Sequence, residues 1–356
     1  MKFVCYSQWN QLPESANTLF IESQQYSLFC SRTWLENLTA HALTEQQSLV
    51  LACVLKDETV LAILPLLKHA QGGLSALSNN FTSLFSLLLS KRGKNHDILE
   101  CLADGLANGL ASGSAQPHQP IQLEPIDPND DDMNYLRQSM ESCGFQSYPY
   151  FRFYNWIHPL EGQSFDEYMA GRPANLRNTI RRKQRKLERE HGYEIKLHKD
   201  ENINQSLITQ ALADYHAIYK TSWKTNEFFS DFTPALVKSL FQRGWLRLAI
   251  LYTNEQPIAA QIWFVVHSKA SIYRLVYDEN WKEYSPGSVL TQYVMRYVID
   301  TDKVSEIDFL TGNERYKQDW MTVRRERLGI RFAKPPEQKN YLTQSIQSLK
   351  KLLSLN

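Results

Sequence analysis

The sequence predicts an α/β (α+β) fold of two tandem lobes, each a mixed, mostly antiparallel sheet flanked by helices. Three observations lead to it. A chain of 356 residues exceeds a single domain of about 150 residues. Its 43% hydrophobic and 12% aromatic content is enough to build packed cores rather than a disordered chain. One order of elements (helix, apolar strand, polar turn, apolar strand) occurs over Ser31 to Leu67 and again over Pro234 to Val266, the mark of a duplicated unit. The boundary is expected near Pro159 to Ser164, giving lobes 1–160 and 161–340 and a terminal segment 341–356.

In the first lobe, Ser31 caps a helix to Leu43 that sets Trp34, Leu35, Leu38 and Ala42 at helical spacing. Leu49 to Leu55 and Val60 to Leu67 are strands joined by the polar turn Lys56-Asp57-Glu58-Thr59. Gln71-Gly72-Gly73 and Asn79-Asn80 mark loops, and Leu99 to Leu110 reads as a helix ended by Gly109 and Ser112 to Pro120. Ile121 to Ile126 is a strand, and the acidic turn Asp127 to Asp132 suits the start of a helix reaching Cys143. With no histidine nearby, a solvated cap explains those acids better than a metal site does. Tyr148 to Trp156 is an aromatic strand carrying the chain into the second half, with several rings expected in the core.

The second lobe opens with helices from Phe165. The second of them is basic: Arg177, Arg181, Arg182, Lys183, Arg185, Lys186 and Arg189 surround a thin stripe of Leu176, Ile180 and Leu187, and Gly192 ends it. Tyr193 to Leu197 alternates as a strand. Ser206 to Tyr219 and Pro234 to Gln242 are helical, and Leu246 to Tyr252 and Pro257 to Val266 form a hairpin around Thr253-Asn254-Glu255-Gln256. Tyr341 to Leu353 reads as a short amphipathic helix that packs back on the domain, with peripheral membrane contact as the alternative.

The most informative stretch is Ser271 to Trp320. A strand (Ser271 to Tyr277) and a loop (Asp278 to Tyr284) lead to Ser285-Pro286-Gly287-Ser288 and a helix with Leu290, Tyr293, Val294, Tyr297 and Val298 on one face, then a strand from Val304 to Leu310. Ser285 suits the N-cap and Pro286 the first helical position, while Gly287 and Ser288 leave first-turn amides uncovered. Such a helix start attracts anions, so a phosphate or pyrophosphate is expected there, with the rest of the ligand along the edge of the preceding strand.

These residues resemble a known family. Tyr284-Ser285-Pro286-Gly287-Ser288, followed by Ile307-Asp308-Phe309-Leu310-x-Gly312-x-Glu314-x-Tyr316-Lys317-x-x-Trp320, looks like the CelD/BcsL branch of the GNAT acyltransferases, related to the FemAB peptidyltransferases. The segment Arg172 to Glu190, with its Asn-Leu-Arg-x-x-Ile-Arg-Arg-Lys-x-Arg-Lys-Leu-Glu run, and Pro257-Ile258-Ala259-Ala260-Gln261 extend the likeness over about Phe165 to Phe332. The glycine-rich turn Arg/Gln-x-x-Gly-x-Gly/Ala usual in that superfamily is absent. The resemblance implies two tandem GNAT-like lobes, the first without the phosphate-binding turn, and a donor that is acyl-CoA or the phosphopantetheine of an acyl carrier protein. It also implies a donor-binding set of Tyr277, Tyr284, Ser285, Pro286, Gly287 and Ser288, with Arg181 and Arg182 of the basic helix as further phosphate contacts. Lys317 matches a family lysine that neutralises charge on the substrate carbonyl or phosphate, and Trp223, Gln261, Tyr316 and Trp320 match or neighbour acceptor-pocket positions.

For the proton lost by an attacking amine, Asp278, Asp308 and Glu314 lie at or near strand ends. Asp308 alternates away from Ile307 and Phe309, and a salt bridge to Arg274 or Lys317 is the structural alternative to catalysis. A net charge of +1 argues against wholesale nucleic-acid binding. Five scattered cysteines (Cys5, Cys30, Cys53, Cys101, Cys143) form no Cys-x-x-Cys pair, which disfavours both a disulfide framework and structural zinc. His216 and His267 lack companions at metal-ligand spacing, so no metal is expected. Without a long apolar leader or an apolar run of about 18 residues, a cytoplasmic protein is expected.

The leading expectation is therefore an N-acyltransferase acting on an amine of a sugar, amino acid or envelope precursor. An aminoacyl-tRNA-dependent transferase, with tRNA on the basic helix, and a non-catalytic subunit of an envelope polysaccharide apparatus are the alternatives.

Overall fold

The computed structural model describes residues 1–89, 95–108, 119–199, 205–224 and 229–334. The first half runs β1 (Lys2–Tyr6), α1 (Ala16–Ser23), α2 (Arg32–His41), β2 (Gln47–Lys56), β3 (Thr59–His69), β4 (Leu74–Ala76) and β5 (Leu88–Leu89). It continues with α3 (His96–Asn108), β6 (Ile121–Ile126), α4 (Asp131–Ser142) and β7 (Gln146–Pro159). The second half begins with α5 (Phe165–Ala170), α6 (Ala174–His191), β8 (Glu194–His198), α7 (Gln205–Thr221) and α8 (Phe232–Gln242). Then come β9 (Leu246–Thr253), β10 (Gln256–Val266), β11 (Lys269–Tyr277), α9 (Pro286–Asp300), β12 (Glu306–Thr311), α10 (Arg315–Trp320) and β13 (Val323–Ala333). The expected terminal helix and the end of the helix expected to Leu110 lie outside the described residues.

Local chemistry sets most of these bounds. The Ser31 hydroxyl accepts from the Trp34 amide at the start of α2, and the Asp130 carboxylate does the same for Met133 at α4. Ser164 and Glu167 form a reciprocal capping box on α5. Both hairpins turn on residues with positive φ, Asp57 in one and Asn254 with Glu255 in the other.

All strands among the described residues join one sheet, ordered β1-β2-β3-β4-β6-β13-β7-β12-β11-β10-β9-β8, with β5 paired to β3. Two of its pairings are parallel, β4 with β6 and β11 with β12, each across a helix. The order β2-β3-β4-α3-β6-α4-β7 is therefore repeated by β9-β10-β11-α9-β12-α10-β13, and the two halves share a topology. Their last strands are exchanged: β7 runs beside β12 of the second half, and β13 lies between β6 and β7. The exchange pairs the two last strands with each other, so that neither is left as an edge, and it turns two sheets into one. A cut near residue 160 would sever that ladder.

Alternation sorts side chains into three cores. Along β2, Leu51, Cys53 and Leu55 face one core while Ala52 and Val54 face another; along β9, Leu248 and Ile250 oppose Ala249 and Leu251. The first core is shared by α1 and α2 with α7 and α8, where the rings of Trp34 and Phe232 meet at 5.5 Å and the Asn37 Nδ2 donates to the Phe232 carbonyl. The opposite face carries α3 and α4 at one end and α5, α6 and α9 at the other.

One expectation fails in this region. Of the rings between Tyr148 and Trp156 only Trp156 is buried, and Tyr148 and Phe151 are each 51% exposed. The neighbouring strand β13 sets Arg331 opposite Tyr148 and Arg327 opposite Phe153, and Arg324 sits 4.1 Å from the centre of the Tyr154 ring. This aromatic strand is central in the ladder yet its outer half faces water.

Candidate active site

Strands β11 and β12 pair only from Lys269–Glu306 to Ser271–Asp308. Beyond that point β11 stays paired with β10 to Tyr277, whereas β12 bends away through Leu310 (φ 49°) and Gly312 (φ 122°). Left-handed backbone at a leucine costs roughly 1–3 kcal/mol, so something must hold it. Lys317 does so: its buried ammonium donates to the carbonyls of Phe309 at 3.0 Å and Thr311 at 2.6 Å and pairs with Glu314 at 3.1 Å. From the other side, the Asn155 Nδ2 donates to the Leu310 carbonyl, and the Leu310 amide donates to Asp308. Gly312 is required, since a Cβ there would fall 2.3 Å from the Glu314 carboxylate at a φ that side chains avoid.

The parted strands open a cleft of about 540 Å³ that reaches the start of α9 and takes Asn80 and Phe81 from the first lobe. The residues expected to form the site divide sharply. Tyr277, Ser285, Gly287, Ser288, Trp223, Glu314, Tyr316, Lys317 and Trp320 all line it. The ring of Trp223, half exposed, lies 4.5 Å from that of Tyr277. Burial lowers the pKa of Lys317, with Glu314 opposing the shift.

Asp278, Asp308, Gln261, Tyr284, Pro286, Arg181 and Arg182 are not among the lining residues. Asp278 is buried and caps the following turn by accepting from the Asn280 amide. Asp308 faces the opposite side of the sheet, bonded to Asn155 at 2.5 Å and paired with Arg325 at 3.5 Å, so the partner is neither Arg274 nor Lys317. Alternation from Phe309, which lines the cleft, requires that placement. Gln261 is fully buried; its amide nitrogen donates to the Gly287 carbonyl and the Thr291 hydroxyl and its oxygen accepts from Trp263, which pins α9 to β10. Tyr284 is buried against α6, where its hydroxyl meets His191 and Glu190 and Lys186 lies over its ring.

The helix start also differs from expectation. Ser285 occupies the N-cap position with Pro286 following it, but its backbone is left-handed (φ 50°) and its hydroxyl caps no amide. A tight turn over Glu279–Tyr284 delivers the chain in that conformation. The Ser285 carbonyl accepts from both Ser288 and Val289, so the Ser288 amide is already engaged. The amide of Gly287, a first-turn group for which an α-helix has no internal partner, remains at the cleft wall.

The basic helix α6 packs on α9 and on that turn, where Lys183 donates to the Glu283 carbonyl and Lys186 pairs with the Glu283 carboxylate. Arg181, Arg182 and Arg185 stay exposed. Changing all three to Gln is expected to leave the melting temperature unchanged or slightly raised, because the variant loses only mutual repulsion. The same variant should bind a phosphate-bearing donor more weakly at low salt, with the difference closing as salt rises; a fall in melting temperature of several degrees would make the helix a structural element instead.

Sequence reasoning missed Asn80 and Phe81, which come from a loop of the other lobe, and Tyr273, Lys224 and Thr291. It named Arg274 only as a partner for Asp308. The Asn79-Asn80 dipeptide signals a turn, but nothing local says which cleft that turn approaches. Among the described residues no group of three His, Cys, Asp or Glu side chains could hold a metal, and no helix is long and apolar enough to cross a membrane.

Residues 174–318, which contain α6, β11, α9, β12 and Lys317, match the family model described as an acetyltransferase (GNAT) domain. No curated protein matches the sequence. Among solved structures, FemX aligns with a TM-score of 0.59 at 11% identity, over 93% of this chain and 97% of that one. L-PGS from Bacillus licheniformis aligns at 0.54 and 12% identity, over 97% of each. A tandem GNAT protein from the clavulanic acid biosynthesis pathway aligns at 0.51 and 11% identity, over 94% of this chain and 99% of that one. At such identities the likeness is one of fold, and it spans both lobes. The chain thus has a tandem GNAT-type fold, and its residues 174–318 match the acetyltransferase (GNAT) domain family.

Proposed function

We propose that this protein is an N-acyltransferase that moves an acyl group from a thioester donor, acyl-CoA or acyl carrier protein, to an amine. The observation that carries this reading is the parting of β11 from β12 beyond Ser271 and Asp308, directly ahead of the start of α9. The β11–β12 ladder ends at Ser271, so the edge of β11 beyond it turns toward the cleft, with amides and carbonyls suited to an amide-bearing pantetheine arm. The donor phosphates would sit at Ser285 to Ser288, near Lys282.

In the reaction the neutral amine nitrogen attacks the thioester carbonyl carbon, the carbon–sulfur bond breaks, and its electron pair leaves on sulfur. An amide of the β11 edge stabilises the oxyanion, and the amine proton passes to a base. Among the described residues that line the cleft Glu314 is the one carboxylate, 58% exposed at its side chain, and it takes that role in place of Asp278 and Asp308. Lys317, with its protons engaged by two carbonyls and Glu314, holds the bend and the base in position. The CelD/BcsL assignment belongs to the same reading and rests on the residues that carry the family resemblance.

Calorimetric titration with coenzyme A tests it. At Gly287 an added Cβ would sit 3.4 Å from Tyr277 and 3.5 Å from Leu275, ordinary contact, so Gly287→Ala should fold and bind within a few-fold of the natural protein. Gly287→Val adds two methyl groups against the cleft wall and should weaken coenzyme A at least about tenfold. Equal binding by both variants would remove the donor from this turn. A second reading, aminoacyl-tRNA as donor, is favoured by the exposed arginines of α6 beside the same turn. Tight, steeply salt-dependent tRNA binding without binding of coenzyme A would select it. A non-catalytic subunit would bind neither.

A further inference from the structure

We infer that Phe81, a residue of the first lobe, limits the length of the acyl group the protein takes, so that its donor is a short-chain thioester; this rests on the reading of the cleft as the site of a thioester donor.

The loop that carries Phe81 is fixed by its own sequence. The Asn79 Oδ1 accepts from the Phe81 amide at 2.9 Å and the Asn79 amide donates to the Thr82 hydroxyl at 3.1 Å, the kind of side-chain turn that asparagine favours. The Ser78 hydroxyl donates to the Glu124 carbonyl of β6, which ties the loop to the sheet. On the other lobe, the β10–β11 register pairs Ile262 with Arg274 and Trp263 with Ile272, stepping over Tyr273. Such a bulge re-aims the side chains beside it. Both of them reach Phe81: the Tyr273 ring lies 6.5 Å from its ring and the Arg274 guanidinium 4.3 Å from its centre. Phe232 packs on it at 5.3 Å. Held by two rings and a guanidinium, Phe81 is a fixed wall of the cleft.

That wall stands where the acyl group arrives. Ser285, Gly287 and Ser288, assigned to the donor phosphates, lie beside Tyr277, since a Cβ at Gly287 would be 3.4 Å from the Tyr277 ring. Tyr273 is four residues back along β11, roughly 13 Å at strand spacing. A donor whose phosphates sit at that turn and whose arm follows β11 therefore brings its acyl group to Tyr273, Arg274 and Phe81. Beyond the ring is a second cavity of about 290 Å³, with Leu38, Leu43, Leu67 and Leu77 in its wall. Asn80 and Phe81 line both cavities, so the ring is a partition between them. A short acyl group fits ahead of this partition, whereas a chain several methylenes longer meets it.

Calorimetric titrations with coenzyme A, acetyl-CoA and octanoyl-CoA are compared for the natural protein, Phe81→Leu, Phe81→Ala, and Phe81→Ala combined with Leu43→Trp, with circular dichroism melting to confirm that each folds. The natural protein is expected to bind acetyl-CoA at least as tightly as octanoyl-CoA. Phe81→Ala should shift the ratio of the two affinities toward octanoyl-CoA by about tenfold or more, because the added methylenes then leave water for an apolar cavity. Phe81→Leu should give part of that shift, and it decides the matter if the alanine variant does not fold. Leu43 is half-buried in the wall of the second cavity, and a tryptophan there should fill the space and cancel the shift. A preference of the natural protein for octanoyl-CoA, an unchanged ratio in the folded Phe81 variants, or a shift that survives Leu43→Trp overturns the inference and leaves the donor assignment standing. A natural protein that binds none of the three ligands overturns the donor assignment and the inference together.

Discussion

Asn155→Ala is expected to lower the free energy of unfolding by about 4 kcal/mol, the sum of two or more lost hydrogen bonds to charged groups in a buried place. Asn155 is fully buried where β7, β12 and β13 meet. Its nitrogen donates to Asp308 and to the Leu310 carbonyl, and its oxygen accepts from Arg325 at 3.0 Å and Arg327 at 3.3 Å. Arg327 is 3% exposed and pairs with Asp127 at 3.0 Å, so its charge cannot escape to water when Asn155 is removed. The network ties the exchanged strand β13 to the bent part of β12 directly behind the cleft. Urea unfolding of the variant checks it. A loss below about 1 kcal/mol would mean that water replaces the amide and that the network is weaker than its burial implies.

The second large effect is a dependence of stability on pH that belongs to His158. This side chain is buried on β7 between Thr322 and Gln163, against the ring of Tyr168. Burial, with Arg172 adding to it, lowers its pKa from 6.5 to about 4. In the unfolded chain the imidazole takes up a proton near pH 6.5, while in the folded protein it stays neutral down to about pH 4. Stability is therefore complete above pH 6.5 and declines as the pH falls through this window, by roughly 3 kcal/mol in all. His198, also lowered by burial, acts in the same direction. Because the carboxylates are common to both proteins, the difference between natural protein and His158→Gln isolates the effect. The variant's unfolding free energy should fall less steeply from pH 7 to 4.5, and parallel profiles would show that His158 binds no extra proton on unfolding.

The exchange of β7 and β13 bears on how the two lobes act together. A cleft in the second lobe is walled partly by Phe81 of the first, and Arg274 of the second stacks on that ring. The first lobe, whose β4 has only three residues beside the nine of β11, has a short counterpart to the parted strand pair. Its loop instead shapes the site of its partner.

What the sequence determined by itself was whatever rests on neighbours within a turn or a strand. The caps at Ser31 and Asp130, the hairpin turns at Asp57 and Asn254, the stripe of α9 and Pro286 at its first position are all short-range effects, legible because each depends on a few consecutive residues. The doubled order of elements was legible for the same reason. The tertiary structure alone decided which strands become neighbours and which side of the sheet holds the cleft. Alternation put Asp308 opposite Phe309, yet only the pairing of β12 with β7 and β11 shows that the Phe309 side opens while Asp308 meets Asn155 and Arg325. Gln261 has the composition of a binding residue, but the crossing of α9 over β10 seals it. The neighbour of the aromatic strand β7 is a strand from the far end of the chain, which sets Arg331 opposite the exposed Tyr148 and Arg324 over the Tyr154 ring. The bulge at Tyr273, which aims Arg274, is a matter of register between two strands, and register depends on both partners at once.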